Sequence, residues 1–295
     1  MSVSRKKGID YWLPKLVVSP TLVIALVFFY GFVLWTTFIS FTNSSFLPSY
    51  DFVGFDQYVR LFMNPRWLNA MWNLVVFGVL FIGICMVVGL VMAILLDQNI
   101  RAEGAIRTIY LYPMALSFIV TGTVWKWLLN PTVGIEKFVI SLGWDSFIFD
   151  WIIDPDMAIY TVVIAGVWQA SGFVMAIFLA GLRGIDTSII KAAQLDGANL
   201  FAVYTRIIIP SMRPVFFSAF IMLAHIAIKS FDLVIALTGG GPGNSTDVPA
   251  IFMYQFSFQR GQLGIGAASA VIMLMTVLAI LVPYLYSELR TPKNG

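Results

Sequence analysis

Six long runs of apolar residues, separated by polar connections, dominate the hydrophobic pattern of this chain. A helix needs about 20 mostly apolar residues to cross the hydrocarbon core of a bilayer, and each run has that length. The pattern predicts spanning helices at about residues 16–41, 74–96, 106–129, 158–182, 215–237 and 264–286. We therefore expect an all-α polytopic membrane protein in which residues 1–295 form a single transmembrane domain.

Composition supports a membrane location and excludes several classes of protein. Apolar residues make up 59% of the chain and charged residues 11%, whereas a soluble domain has about 45–50% and about 25%. Cys85 is the only cysteine, which excludes a disulfide framework and a cysteine metal site. The net charge of +3 is scattered along the chain, which argues against a nucleic-acid partner. The runs contain no paired carboxylates, metal-ligand cluster or nucleophile with a base, so we expect no catalytic residue and no metal site.

The positive charges indicate an orientation, because basic residues near span ends stay on the cytoplasmic side of a membrane. Twelve of the eighteen Lys and Arg residues lie in the two tails and in the connections after the second and fourth runs. These are Arg5, Lys6, Lys7, Lys15, Arg101, Arg107, Arg183, Lys191, Arg206, Arg213, Arg290 and Lys293. We expect both termini in the cytoplasm, and the first run, too long for a signal peptide, to be a retained anchor.

The connection after the fourth run, residues 183–213, has the pattern of a helical hairpin. One of residues 186–188 offers an N-cap, good helix formers follow, and Gly197 can end the helix in the left-handed conformation. A second short helix is predicted over residues 199–208 and is stopped by Pro210. The apolar side of the hairpin packs either on the membrane domain or in a groove of a partner. Its residues are Ile189, Ile190, Ala193, Leu200, Phe201 and Tyr204.

The hairpin also carries a resemblance to a known family. The stretch KAAQLDGA, followed by IIIP, resembles the "EAA" signature of permease subunits in binding-protein-dependent ABC importers. Five residues match in register, and Lys191 stands in place of the usual glutamate. The resemblance implies a coupling helix that docks in a cleft of a cytoplasmic ATPase. The residues implied in this coupling are Lys191, Ala192, Ala193, Asp196, Gly197, Ala198, Ile207 and Pro210.

The same resemblance implies partners and a location. A second, homologous permease would form a heterodimer with this chain, two ATPase subunits would bind in the cytoplasm, and a periplasmic sugar-binding protein would deliver the solute. The expected location is the bacterial inner membrane, with lipid around the spans. The chain contains no G-x-x-x-x-G-K-[ST] motif. We therefore expect a transport subunit that is no enzyme and binds no cofactor, with ATP and magnesium used by the partner ATPase.

Further segments narrow the resemblance to importers of carbohydrates. Residues 52–78 and 237–258 resemble outside segments of the maltose-type first permease. The runs IRTIYLYPMALSFIVTGTVWKWLLNP, AHIAIKSFDLV and VPYLYSELR resemble the glucose/mannose permease of pseudomonad-type bacteria. The resemblance implies a permease that moves glucose or mannose from the binding protein to the cytoplasm.

Polar residues at membrane depth are costly and usually face a cavity or a neighbouring span. His225, Lys229 and Asp232 have i, i+4 and i, i+3 spacing, which places them on one face of the fifth predicted helix. A packed histidine and a structural ion pair between Lys229 and Asp232 are the plain alternatives. The candidate solute-path residues are Trp168, Gln169, Phe173, His225, Lys229, Ser230, Phe231 and Asp232. The resemblance implies that the maltose-type sugar site corresponds to Gly166, Ala170, Phe173, Ala227 and Ser230.

The alternative function is a self-sufficient secondary transporter or channel for a small polar solute, driven through the polar groups of the fifth run. Such a protein has no need of the hairpin, and the two halves of the chain show no inverted hydropathy repeat. We therefore rank this alternative, and a membrane enzyme, below the importer. The sequence leaves open which sugar is moved and whether this subunit or the partner permease holds a sugar site.

Overall fold

A computed structural model describes residues 7–98 and 100–290 of the chain, and this part is built from helices and turns. Three of the basic residues counted above lie outside the described residues: Arg5, Lys6 and Lys293. The α-helices are α1 (Lys7–Ala25), α2 (Gly31–Ile39), α3 (Asp56–Phe62), α4 (Pro65–Leu96), α5 (Glu103–Leu111), α6 (Phe118–Leu128), α7 (Ile135–Ser141), α8 (Ala158–Arg183), α9 (Thr187–Leu195), α10 (Leu200–Val203), α11 (Ile209–Ser211), α12 (Arg213–Ile228), α13 (Phe231–Leu237), α14 (Pro249–Tyr254) and α15 (Leu263–Arg290).

The chain divides into two compact units. The first contains the chain up to Phe62 together with Met253–Ile272, and the second contains Met63–Phe252 together with the segment from Met273. The expectation of a single domain over the whole chain stays a prediction. The second unit contains the hairpin and every candidate solute-path residue.

In the first unit, α1, a π-helical turn at Leu26–Tyr30 and α2 follow one another along a single apolar stretch. Val17–Ile39 of this stretch is long enough to cross a bilayer. The amide nitrogen of Gln57 in α3 donates to the carbonyl oxygen of Thr42 at 3.0 Å. This hydrogen bond fixes α3 to the chain that follows α2.

Within the described residues, the number of candidate spans agrees with the six predicted runs when bent helices are included. Four helical stretches are long and apolar enough to cross a membrane by themselves. They are Val17–Ile39, Pro65–Leu96, Ala158–Arg183 and Leu263–Pro283. Two further pairs of helices meet the same condition only if each bent pair counts as one span.

Helices α4 and α8 form the core of the second unit. A Cβ on Gly89 of α4 would lie 2.7 Å from Cγ1 of Val174 in α8, so the two backbones approach as closely as a glycine allows. A Cβ added to Gly83 would have no other atom within 4 Å. Small residues commonly permit such close approach between membrane helices. Gly89 therefore permits close packing of α4 on α8, and Gly83 has no such role.

The third predicted span is bent, which corrects the prediction of one helix over residues 106–129. A 3-10 turn containing Pro113 follows α5, the chain is extended at Leu116 and Ser117, and α6 leaves at 100° to the preceding helix. Proline lacks the amide that would continue the helix, and Ser117 Oγ accepts a hydrogen bond from the first turn of α6 at 3.3 Å. The side chain of Gln169 in α8 donates to the Leu116 carbonyl oxygen at 2.7 Å, which satisfies the broken backbone.

The fifth predicted span is interrupted as well, so the prediction of a continuous helix over residues 215–237 is corrected. α12 ends at Ile228, and Lys229 and Ser230 have ψ angles of 18° and 34° before α13 starts. The helical spacing on which the common face of His225, Lys229 and Asp232 was argued therefore does not apply beyond Ile228.

Three prolines lie within helices or at a helix start. Pro65 is the first residue of α4, where Asn64 caps the helix. Pro210 does not stop the second hairpin helix, because α11 contains it and the chain turns by 65° only at Met212. Pro283 lies inside α15, which continues beyond it.

Candidate functional site

The hairpin in residues 183–213 begins with a capped helix, as predicted. The Asp186 carboxylate accepts a hydrogen bond from the Ser188 backbone amide at 2.8 Å, and α9 starts at the next residue. This amide holds the pKa of the Asp186 carboxyl below its ordinary value, because it stabilises the charged form. Gly197 has φ +84° and the Ala198 amide donates to the Ala193 carbonyl oxygen at 3.0 Å. A left-handed glycine therefore ends the helix.

Of the two alternatives for the apolar side of the hairpin, the structure shows packing on the membrane helices, and docking in a groove of a partner stays a prediction. The inner face packs against the hydrophobic core of the second unit through Ile190, Ala193, Ala198 and Tyr204. The tip exposes large apolar side chains: Leu195 is 89% exposed and Phe201 is 78% exposed. Such a patch on a surface projection is typical of a contact with another protein.

The coupling residues named from the signature divide in the same way between surface and interior. Four are exposed: Lys191, Ala192, Asp196 and Gly197. Four are partly buried: Ala193, Ala198, Ile207 and Pro210. The exposed group lies at the end of α9 and the turn after it, where the apolar tip also lies. Their role in ATPase binding stays a prediction.

A cavity of about 230 Å³ lies beside the break between α12 and α13. Four of the candidate solute-path residues line it together with apolar and aromatic neighbours from α4, α6 and α8. The lining consists of Phe77, Phe81, Phe118, Gly166, His225, Ile226, Lys229, Ser230, Asp232 and Leu233. The interruption of the fifth span therefore brings His225, Lys229, Ser230 and Asp232 to one cavity although they do not share one regular helix.

Several polar side chains that line this cavity lack a hydrogen-bond or ion-pair partner within the described residues. Among the described residues, Lys229 and Asp232 form no ion pair with each other, and the side chain of His225 makes no hydrogen bond. Ser230 is 7% exposed, and its Oγ has no hydrogen-bond partner in the described chain. A buried hydroxyl without a partner is costly, so this lining is suited to a polar molecule that supplies the missing hydrogen bonds.

The aromatic wall of the cavity was missed from the sequence. Phe77 and Phe81 of α4 are stacked, with ring centroids 5.2 Å apart and planes 13° apart. A Cβ on Gly166 would lie 3.2 Å from the Phe81 ring, so the glycine lets the two helices meet here. Phe118 completes the aromatic lining from the start of α6. The only signal in the sequence was the i, i+4 spacing of Phe77 and Phe81, which is also that of ordinary core residues.

The other four candidate solute-path residues are not among the lining residues of this cavity. Trp168 lines a different, mostly apolar cavity of about 450 Å³ and meets Trp125 edge to face at 5.9 Å. Gln169 is buried and holds the break in the third span. Phe173 and Phe231 are half-buried. The structure therefore brings four of the eight candidate residues to one cavity, and their role in a solute path stays a prediction.

Comparison with known proteins identifies the family. A model described as "Binding-protein-dependent transport system inner membrane component" matches residues 85–291. The chain belongs to this family. It is therefore a multi-pass inner-membrane permease of an ABC importer, a transport component rather than an enzyme. Membership in a binding-protein-dependent system also implies a binding protein and an ATPase as partners, and it favours the importer over a self-sufficient secondary transporter.

Individual relatives of this permease support the assignment along nearly the whole chain. A probable ABC transporter permease protein of Pyrococcus horikoshii is 40% identical over 269 residues, which cover 90% of this chain and 92% of the relative. The xylose/arabinose import permease protein of Haloferax volcanii is 36% identical over 265 residues, covering 88% and 83%. The all-helical fold matches a crystal structure of a bacterial ABC transporter involved in the import of alginate, with a TM-score of 0.83 and 21% identity. That match covers 97% of this chain and 99% of the other.

Proposed function

We propose that this permease is a subunit of an ATP-driven sugar importer, and that the sugar is a monosaccharide, glucose or mannose. The observation that carries the proposal is the cavity between α4, α6, α8 and the interrupted fifth span. Its volume of about 230 Å³ is smaller than the about 300–1,000 Å³ that is usual for sites of drug-sized molecules, which favours a small solute over an oligosaccharide. The resemblance to glucose/mannose permeases and the xylose/arabinose relative support a single sugar ring as the solute.

The chemistry of the lining supports a neutral polyhydroxylated solute. Asp232 can accept hydrogen bonds from sugar hydroxyls, Lys229 can donate them, and Ser230 can do both. Because both signs of charge line the cavity, a solute with a strong net charge of either sign would face one like charge. The faces of Phe77 and Phe81 offer an apolar platform for the carbon side of a sugar ring.

The hairpin supports ATP as the energy source. Its exposed tip would dock on one cytoplasmic ATPase subunit, and its packed inner face would pass the movement of that subunit to the membrane helices. A second, homologous permease would complete the pore with its own ATPase, and a periplasmic sugar-binding protein would load the cavity from outside. The ATPase partners use ATP and magnesium. Both termini of this chain lie in the cytoplasm.

Uptake of radiolabelled glucose at low concentration tests the sugar. The chain is deleted and then restored in its native form, as Ser230→Ala or as Ser218→Ala. Ser230→Ala removes the buried hydroxyl of the cavity and should raise the KM about five-fold or more, since a lost hydrogen bond is worth about 1 kcal/mol. Ser218→Ala removes an exposed hydroxyl of α12 that bonds only to its own helix and should leave the KM unchanged. Excess unlabelled mannose should compete with glucose.

The outcomes separate the parts of the proposal. Unchanged glucose uptake after deletion rejects glucose as the solute, and equal KM values for Ser230→Ala and Ser218→Ala reject the cavity as the site. Gly197→Asp and Ala193→Asp test the coupling hairpin, because each puts a charge at the end of α9. Inserted protein with full uptake in either variant would reject coupling through this hairpin.

A further inference from the structure

Polar contacts join the coupling hairpin to the connection between α4 and α5. Arg183, the last residue of α8, stands immediately before the hairpin. Its guanidinium donates to Oε1 of Glu103 at 2.7 Å and lies 3.6 Å from Oδ1 of Asp97. Asp97 is the C-cap of α4, and Glu103 is the first residue of α5. One arginine therefore connects the ends of three helices at the base of the hairpin.

The second arm of the hairpin is attached to the same connection. The side-chain amide of Gln98 donates to the hydroxyl of Tyr204 at 3.0 Å. Tyr204 follows α10 directly, and its ring is among the residues that pack on the core. Asp97, Gln98 and Glu103 thus hold the base and the second arm of the hairpin, in addition to the apolar contacts of its inner face.

We propose that Arg183 is a positioning residue that transmits displacement of the coupling hairpin to α5, the cytoplasmic half of the bent third span, through its ion pair with Glu103. This inference rests on the proposed coupling of the hairpin to an ATPase. α5 has no buried residue, and Ile106, Tyr110 and Leu111 are only partly buried against the core. A charged link at its first residue is therefore well placed to move it.

The route from α5 to the cavity is continuous in the structure. α5 leads to the break at Leu116, whose carbonyl is held by Gln169 of α8. α6 starts after the break and packs on α13, where a Cβ on Gly122 would lie 2.7 Å from the Cβ of Ala236. Phe118 of α6 and Asp232 of α13 both line the cavity. Displacement of α5 would therefore act on a wall of the cavity, with the break in the span as the hinge.

A purely structural role for the ion pair is the competing explanation. The side chains of Arg183, Asp97 and Glu103 are 43%, 31% and 28% exposed, and exposed ion pairs contribute little to stability. A stability measurement would not separate the two roles. The useful readout is the movement of α5 relative to the movement of the hairpin.

The test uses the complete importer, with its ATPase and binding protein, in lipid nanodiscs. Cys85→Ala removes the only native thiol, and single cysteines replace exposed Thr187 in the hairpin or exposed Ile109 in α5. An environment-sensitive fluorophore on each cysteine reports the change in its surroundings when magnesium and a non-hydrolysable ATP analogue are added. In the parent importer both positions should respond.

Two substitutions break the link and two leave it intact. Arg183→Gln and Glu103→Gln should each reduce the response at position 109 by about two-fold or more and keep the response at position 187. Arg183→Lys retains a cation and should restore most of the response at position 109. Arg206→Gln is the matched control, because it removes an arginine from the same connection that forms no ion pair within the described residues.

The outcomes distinguish this inference from the proposed function. A full response at position 109 in Arg183→Gln and Glu103→Gln overturns the relay and leaves the ATPase coupling standing. An equal loss of the response at position 109 in Arg206→Gln also overturns the relay, because the loss would then follow from removing any arginine of the connection. If neither fluorophore responds in the parent importer, the ATPase coupling itself is overturned, and the relay with it.

Discussion

Gly122 of α6 is where the second half of the bent third span meets α13, and replacing it with alanine should separate the two helices. A Cβ at this position would lie 2.7 Å from the Ala236 Cβ and 2.9 Å from the Leu233 carbonyl oxygen. Carbon atoms in contact prefer a separation of about 3.5–4.0 Å. Since the second neighbour is backbone, the helices must move apart by about 1 Å.

The cost of this separation can be isolated with a matched variant. Overpacking a well-packed interface costs about 1–3 kcal/mol, while exchanging glycine for alanine inside a helix gains up to about 1 kcal/mol. Gly83→Ala makes the same exchange in α4 with nothing within 4 Å of the new Cβ. The propensity gain is common to both variants, so their free energies of unfolding should differ by about 1–3 kcal/mol.

Two assays measure the consequence. Unfolding of the purified protein by sodium dodecyl sulfate in mixed micelles gives the stability difference between Gly122→Ala and Gly83→Ala. Solute uptake should fall in Gly122→Ala alone, because α6 and α13 carry Phe118 and Asp232 of the cavity wall. Adding Ala236→Gly to Gly122→Ala should recover part of the stability, since the nearer of the two contacts is removed.

Equal stability of the two alanine variants would refute the close packing of α6 on α13. Normal uptake by a clearly destabilised Gly122→Ala protein would refute the second step, in which the spacing of these helices sets the shape of the cavity. The two results are independent, so the packing and its functional consequence are tested separately.

Three further predictions follow from polar contacts. Gln169→Leu leaves the carbonyl oxygen of Leu116 without its donor and should lower stability in micelles by about 1–3 kcal/mol. The pKa of the Asp186 carboxyl is lowered by its capping hydrogen bond. The cap is therefore complete above the ordinary pKa of this group and is lost as the pH falls through the lowered pKa of the folded protein. Amide exchange in α9 should rise in this pH window, but not in Asp186→Asn. Asp247→Asn removes one charge of the buried ion pair with Arg66 and should destabilise by about 3–5 kcal/mol in the same micelle assay.

The coupling hairpin shows how far local sequence signals reach. Asp186 as a cap and Gly197 as a left-handed end were predicted and are found, because caps depend on a few neighbouring residues and on backbone geometry. The role of Pro210 was not predicted, because a proline is tolerated in the first turn of a helix and the turn at Met212 depends on how the next helix packs.

The cavity shows where local signals end. Lys229 and Asp232 were expected together because of helical spacing, yet they meet at a cavity through a break in that helix. Trp168 and Gln169 were predicted as solute-path residues, but Trp168 lines a second cavity and Gln169 bonds to the break in the third span. Phe77 and Phe81 enter the lining from α4, more than eighty residues before Gly166.

The sequence by itself determined the membrane class, the apolar runs and the hairpin with its family signature, because length, hydropathy and capping act over a few turns of chain. Only the tertiary structure decided which helices break, which glycines permit contact and which polar groups share a cavity. The physical reason is that a break at membrane depth is stable only when a neighbouring helix satisfies the freed backbone groups, as Gln169 does for Leu116. That neighbour is fifty-three residues away along the chain, and no local pattern brings the two together.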